Sequence, residues 1–109
     1  MKMLVAAGLA LAILNSCERK SNKSFREDVL RQDLKTLRTV IDGYTEDHKV
    51  CPKKLSDLVA AGYLKEIPQD PMTGQPDWRV VNEDETVCIT DIHSASRKIS
   101  IEGTPYSSW

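Results

Sequence analysis

Residues Ser24 to Asp47 read SFREDVLRQDLKTLRTVIDGYTED, and this stretch decides the fold. Leu30, Leu34, Leu37, Ile41 and Tyr44 recur at alternating intervals of four and three residues, the signature of one face of an α-helix. Phe25, Val29 and Val40 widen the stripe, and Arg26, Asp28, Arg31, Gln32, Lys35, Arg38, Thr39 and Asp42 fill the remaining circumference. Ser24 and Glu27 form an S-x-x-E capping box, in which hydroxyl and carboxylate satisfy two orphan N–H groups of the first turn, so the spacing predicts a helix start there. At 1.5 Å per residue the helix runs roughly 33 Å. It is a spine with one apolar side, and the rest of the chain must cover that side.

The segment before the spine has a different character. Met3 to Leu14 (MLVAAGLALAIL) is an uninterrupted apolar run preceded by Lys2. As a helix it would be about 18 Å long, short of a bilayer core of about 30 Å. Its length instead suits the apolar region of a signal peptide. It ends in Leu14-Asn15-Ser16-Cys17, which resembles a bacterial lipobox. On that reading residues 1–16 are a lipoprotein signal peptide, Cys17 receives the lipid, and residues 17–24 are a polar tether (ERKSNK at its centre) to a domain spanning 25–109. Glu18, rather than Asp, after the cysteine points to the outer membrane by analogy with Gram-negative sorting. The expected location is therefore exported, membrane-anchored and facing the periplasm.

Composition narrows the possibilities. The chain has 109 residues, 28% charged and 40% hydrophobic, with a net charge of −1, which allows one small domain. Residues 1–16 contain one base and no acid, so their removal makes the net charge −2. Charges of both signs interleave along the spine, leaving no basic patch for nucleic acid.

After the spine, Gly43 weakens the helix end and Pro52 biases Cys51 out of the helical region. Leu55 to Ala61 predicts a short helix, with Gly62 as its left-handed terminator. Ile67 to Pro76 (IPQDPMTGQP) is rigid, and Asp70-Pro71-Met72-Thr73 reads as a type I turn followed by Gly74. From Trp78 the period becomes two. Strands are predicted at Trp78–Val81, Val87–Ile92 and Lys98–Ile101, the first two joined by a polar turn at Asn82–Glu85. The tail ends on Tyr106 and Trp109, large aromatics expected to dock on the domain. The fold class is α+β: a long amphipathic helix and a short helix packed on a small antiparallel three-stranded sheet.

These residues resemble a known family. The path from Tyr44-Thr45 through Pro52, Leu55, Asp57-Leu58-Val59 and Gly62-Tyr63-Leu64 to Ile67-Pro68-x-Asp70-Pro71-Met72-Thr73-Gly74 is similar to the major pseudopilins of type II secretion and their type IV pilin-like relatives. Ile89-x-Asp91-Ile92-His93-Ser94-x-Ser96 and Gly103-x-Pro105-Tyr106-Ser107-x-Trp109 resemble the C-terminal end of a short pilin-like subgroup. The resemblance covers residues 26–109 and implies a pilin-like head that works by binding other secretion or pilus subunits. Asp70, Pro71, Thr73, Gly74, Asp91, His93, Ser94, Tyr106 and Trp109 carry it. Two departures accompany it. Family members begin with a prepilin-peptidase site and about 20 apolar residues, where this sequence has a short signal. Major pseudopilins also carry a calcium loop, whereas between Asp91 and Trp109 only Asp91 and Glu102 offer carboxylates; calcium takes six to eight oxygens, and none is expected here.

Two readings compete for the cysteines. With Cys17 assigned to lipid, Cys51 and Cys88 form an even pair in an oxidising compartment and are expected to be disulfide-bonded, a cross-link contributing roughly 4 kcal/mol in the chain-entropy model. Alternatively, His48-x2-Cys51 and Cys88-x4-His93 supply four ligands for tetrahedral zinc. Asp91, His93, Ser94 and Ser96 lie too close along one strand and turn for a Ser-His-Asp triad, and His93, Ser94 and Ser96 are read as hydrogen-bonding the turn backbone. No phosphate-cradling loop, HExxH motif or paired carboxylates occur. The sequence therefore predicts a non-enzymatic binding protein without cofactor or small-molecule substrate. It is either a component of, or accessory to, a type II secretion or pilus-like machine, or a free-standing envelope lipoprotein using a pilin-like head as a binding module. A small zinc-binding domain is the third reading.

Overall fold

A computed structural model describes residues 22–83 and 87–109. The segments expected to be the signal peptide and most of the tether, with Cys17, and the end of the Asn82–Glu85 turn (residues 84–86 are not described) lie outside the described residues. Helix α1 (Asn22–His48) carries the apolar stripe as spaced: Leu30, Leu34, Leu37 and Ile41 are all buried. At 1.5 Å per residue these 27 residues extend about 40 Å. Helix α2 (Ser56–Ala60) is a short turn of helix that buries Leu58 against this stripe. It ends through Gly62, whose φ of 84° is the left-handed conformation that glycine adopts without strain. Asp57 Oδ2 accepts from the Lys53 and Lys54 N–H groups and fixes the approach to α2.

Strands β1 (Arg79–Asn82) and β2 (Ile89–His93) form a two-stranded antiparallel sheet. Arg79 pairs with His93, Val80 with Ile92 and Val81 with Asp91; the register then shifts, so that Asn82 pairs with Ile89. This bulge leaves Thr90 without a register partner, and its hydroxyl donates to the Val81 carbonyl. Ile89 and Ile92, three apart, would face opposite sides in strict alternation. With the irregularity both are fully buried in the core. The core is completed by Trp78 and Tyr106, with Tyr44, Leu55, Tyr63, Leu64, Ile67, Met72 and Trp109 packed around it.

Three expectations are corrected. The α+β class holds, but there is no third strand among the described residues. Lys98–Ile101 instead closes a tight loop with the tail, where Ser100 N–H donates to the Thr104 carbonyl, Gly103 N–H to Ser100 and Tyr106 N–H to Lys98. Ile99 makes one isolated bridge to Pro105, and proline, lacking an N–H, cannot extend the ladder. Ile99 and Ile101 consequently remain exposed. Val87, expected in β2, lies before it and is 72% exposed. The helix also does not start where the capping box placed it: Ser24 lies within α1, and the Glu27 carboxylate reaches away from the helix end into the core.

Candidate functional site

The sheet, the Asp70 turn and the tail meet along one side of α1, joined by three polar junctions. Asp70 makes the first. It is fully buried, and its Oδ1 accepts from Met72 N–H at 2.8 Å, building the turn locally. Thr73 and Gly74 N–H groups donate to the Asp70 carbonyl, and Gly74 sits at φ 73°. Oδ2 accepts from the Ser94 hydroxyl at 2.6 Å and from Ala95 N–H at 3.2 Å. Ser94 Oγ in turn accepts from Ser96 N–H, and Ser96 Oγ from Lys98 N–H, so both serines organise the backbone of their turn. Asp33 of α1 faces this knot, and partial burial together with the Asp70 charge pushes its carboxyl above the usual range.

Glu27 makes the second junction. Its Oε2 accepts from Tyr106 Oη at 2.6 Å and from Ile101 N–H at 2.8 Å, although the residue is only 3% exposed. Burial pushes this carboxyl up, but the two hydrogen bonds, with Arg31 and Lys23 nearby, outweigh it and hold it below the usual range. Burial first, and the Glu27 carboxylate second, push the Tyr106 phenol up to about 12.

Arg38 makes the third. Nε donates to Asp91 Oδ1 at 2.9 Å, while Nη2 donates to the carbonyls of Ile92 at 2.8 Å and Trp109 at 2.7 Å. His93 Nδ1 also donates to the Trp109 carbonyl. Partial burial raises the Asp91 carboxyl, yet the Ile92 N–H and Arg38 prevail and hold it low. Arg31 lies 4.3 Å above the Trp109 ring and pairs with Glu102 at 3.2 Å. Trp109 packs edge-on against Tyr106. The tail is thus docked on the domain through aromatic, cationic and backbone contacts together.

The structure brings Cys51 and Cys88 together as a disulfide pair, with Cα atoms 5.3 Å apart. The pair ties the exit of α1 to the entrance of β2, where Ile89 N–H also donates to the Pro52 carbonyl. This arrangement does not bring the four residues of the zinc reading together. His48 Nδ1 donates to the Tyr44 carbonyl, its ring stacks on Tyr44, and His93 is turned to Trp109. Among the described residues no group of three or more His, Cys, Asp or Glu side chains could hold a metal ion. Nor do Asp91, His93 and Ser94 converge: Asp91 Oδ2 lies 3.8 Å from His93 Nε2, but the Ser94 hydroxyl is committed to Asp70.

Two clefts among the described residues flank the junctions. One, of about 760 Å³, lies beside the disulfide between Tyr44, Val50, Asp57, Ala61 and Val87. The other, of about 470 Å³, runs along α1 between Arg31, Lys35, Arg38 and Trp109.

Glu27, Arg38 and Arg31 were missed as tertiary anchors when the helix was read alone. For Glu27 a signal existed: continuing the stripe backwards from Leu30 by three residues lands on it, on the buried face. For Arg38, placement beside Leu37 on the flank of the stripe was the only hint. Comparison with protein-family models, with curated proteins and with solved structures finds no match to this chain.

Proposed function

We propose that this chain is an exported, lipid-anchored protein with a pseudopilin-like head, acting by binding within or beside a type II secretion or type IV pilus-like machine. The Asp70 knot is the observation that carries the reading. The two segments of resemblance, Ile67-Pro68-x-Asp70-Pro71-Met72-Thr73-Gly74 and Ile89-x-Asp91-Ile92-His93-Ser94-x-Ser96, are separated in sequence but joined in space by the Asp70–Ser94 and Asp70–Ala95 hydrogen bonds. A shared structural junction gives one reason for both motifs to occur in one chain. The long amphipathic helix, covered on one side by the sheet and tail, supports the same reading.

A second reading keeps the anchored head but places it outside any filament, as a free-standing envelope lipoprotein. It is favoured by the length of the Met3–Leu14 run, which is short of a bilayer crossing. Among the described residues no helix is long and apolar enough to cross a membrane.

The test is intact mass and fractionation of the native protein, followed by crosslinking in intact cells. A membrane-bound chain beginning at acylated Cys17 is expected, crosslinked to pilin-class or assembly-platform subunits. An acylated chain with no such partner selects the free-standing lipoprotein. A chain without lipid, or one with a methylated N-terminus and a longer apolar segment, refutes the anchoring and returns the protein to the true pseudopilins.

A further inference from the structure

The end of the domain where the tether enters has a composition unlike the rest of the surface. Phe25 is 62% exposed, Ile99 52% and Ile101 58%. These are half of the exposed large apolar side chains among the described residues, and they gather at one end of a helix about 40 Å long. Lys23, Arg26 and Lys98 are exposed at the same end, where together with Ile99, Met72 and Tyr106 they line a small cleft. Ile101 is held there by its N–H bond to Glu27, one turn along α1 from Lys23.

The acids of this end are already occupied: Glu27 is buried on Tyr106 and Ile101, and Arg31 pairs with both Asp28, at 3.7 Å, and Glu102. The exposed balance is therefore cationic. The chain entering here adds Arg19 and Lys20 against Glu18.

We propose that this end of the domain docks on an anionic lipid surface, the apolar side chains entering the headgroup boundary while Lys23, Arg26 and Lys98 meet lipid phosphates. Apolar side chains interspersed with lysine and arginine form the pattern that seats peripheral proteins on anionic bilayers. Charge complementarity selects this occupant over a second copy of the chain, whose same end would bring like charges together. The proposal rests on Cys17 as the anchor for its geometry. From Cys17 to Asn22, five fully extended residues span at most about 18 Å, so this end is held against the headgroups rather than swinging free. Docking orients α1 away from the membrane and presents the disulfide end, with its larger cleft, to partners.

The experiment takes the mature protein purified from its native membranes and reconstitutes it on vesicles of phosphatidylcholine alone or with phosphatidylglycerol, both carrying brominated acyl chains. An indole introduced by Ile99→Trp reports contact, read as quenching in excess of the wild-type chain. Expected is excess quenching on the anionic vesicles, falling several-fold on neutral vesicles or in 0.5 M salt, and lost in Lys23→Glu/Arg26→Glu/Lys98→Glu. Each charge removed should weaken docking about fivefold. Circular dichroism establishes that the variants are folded.

Co-sedimentation separates the two readings. If the chain sediments with vesicles of either kind but the excess quenching is absent, or independent of lipid charge, the docking proposal falls while the anchor stands. If the chain does not sediment with neutral vesicles, the anchor falls. Salt-sensitive sedimentation with anionic vesicles that disappears in the charge-reversed variant then still upholds docking, and its absence overturns it. Concentration-dependent dimerisation abolished by the same substitutions would assign the surface to a second copy and overturn the proposal.

Discussion

Removing one hydroxyl should expose how much the buried carboxylate of Glu27 depends on the tail. Tyr106→Phe keeps the ring in the core and its packing against Trp109 but deletes the 2.6 Å bond to Glu27 Oε2. The carboxylate, 3% exposed, is left with the Ile101 N–H donating to Oε2. An under-satisfied buried charged acceptor costs more than an ordinary lost hydrogen bond, about 2–3 kcal/mol at neutral pH. For a domain of this size each kcal/mol lowers Tm by roughly 4–8 °C, so a drop of about 8–24 °C is expected. The pH dependence carries the sharper test. Because the folded state holds the Glu27 carboxyl below its ordinary value of 4.5, its contribution is fully present above that pH and is lost as pH falls through the lower folded value. Deleting Tyr106 Oη removes a cause of that depression while burial still pushes the other way. The cost of the substitution should therefore be greatest at pH 7 and shrink as pH falls below 4.5, as Glu27 takes up a proton and ceases to carry a buried charge. At the alkaline side the signs reverse. Wild-type stability associated with Tyr106 is present below pH 10.0 and lost as pH rises through about 12, and the Phe variant lacks that limb. Tyr63, its phenol also pushed up to about 12 by donation to Asp47, retains its own share in both proteins. Urea denaturation of both proteins at pH 7 and pH 3 measures the effect. A cost below 0.5 kcal/mol at pH 7, or the same cost at both pH values, would refute the assignment of Glu27 as a charged, tail-dependent core residue.

Other perturbations address the remaining junctions. Reducing Cys51–Cys88, or replacing both by serine, removes a cross-link across 37 residues and should cost about 4 kcal/mol, a large part of a small domain's stability; urea midpoints unchanged by reductant would refute it. Asp70→Asn puts an NH2 group where one of two oxygens accepts from Met72, Ser94 and Ala95, and should cost about 2–3 kcal/mol, with Ser94→Ala costing about 1 kcal/mol. The same Asp70→Asn change removes a like charge facing Asp33, so the Asp33 carboxyl should titrate at lower pH by NMR, and an unmoved titration would contradict their proximity. Arg38→Lys keeps the charge but cannot reach Asp91 and the two carbonyls with one planar fork, so about 1–2 kcal/mol is lost and Trp109 emission shifts to the red; an unchanged emission spectrum would show that the tail is held without Arg38.

Local periodicity settled what depends on near neighbours. The four-three spacing of Leu30, Leu34, Leu37 and Ile41 specifies a helix and its buried face, because residues three and four apart share one side. The Asp70-Pro71-Met72-Thr73-Gly74 turn was equally legible, since Pro71 sets φ, Asp70 bonds its own turn and Gly74 takes the left-handed position. The cysteine count, with Cys17 set aside as the expected lipid site, suggested pairing Cys51 with Cys88, while the choice between disulfide and zinc ligation waited on the geometry that brings their Cα atoms within 5.3 Å. What tertiary structure alone decided are the properties of groups far apart in sequence. Lys98–Ile101 alternates like a strand, yet Pro105 opposite it cannot donate, so the ladder stops after one bridge. Ile89 and Ile92 share the core only because the β1–β2 register shifts between Val81 and Asn82. Glu27 reads as a helix cap until Tyr106 and Ile101 arrive from the other end of the chain, and Arg38 reads as solvated until Asp91 and Trp109 surround it. A charged side chain's local spacing says which face it occupies. Whether that face meets water or a partner with the right donors is settled by where a distant segment lands.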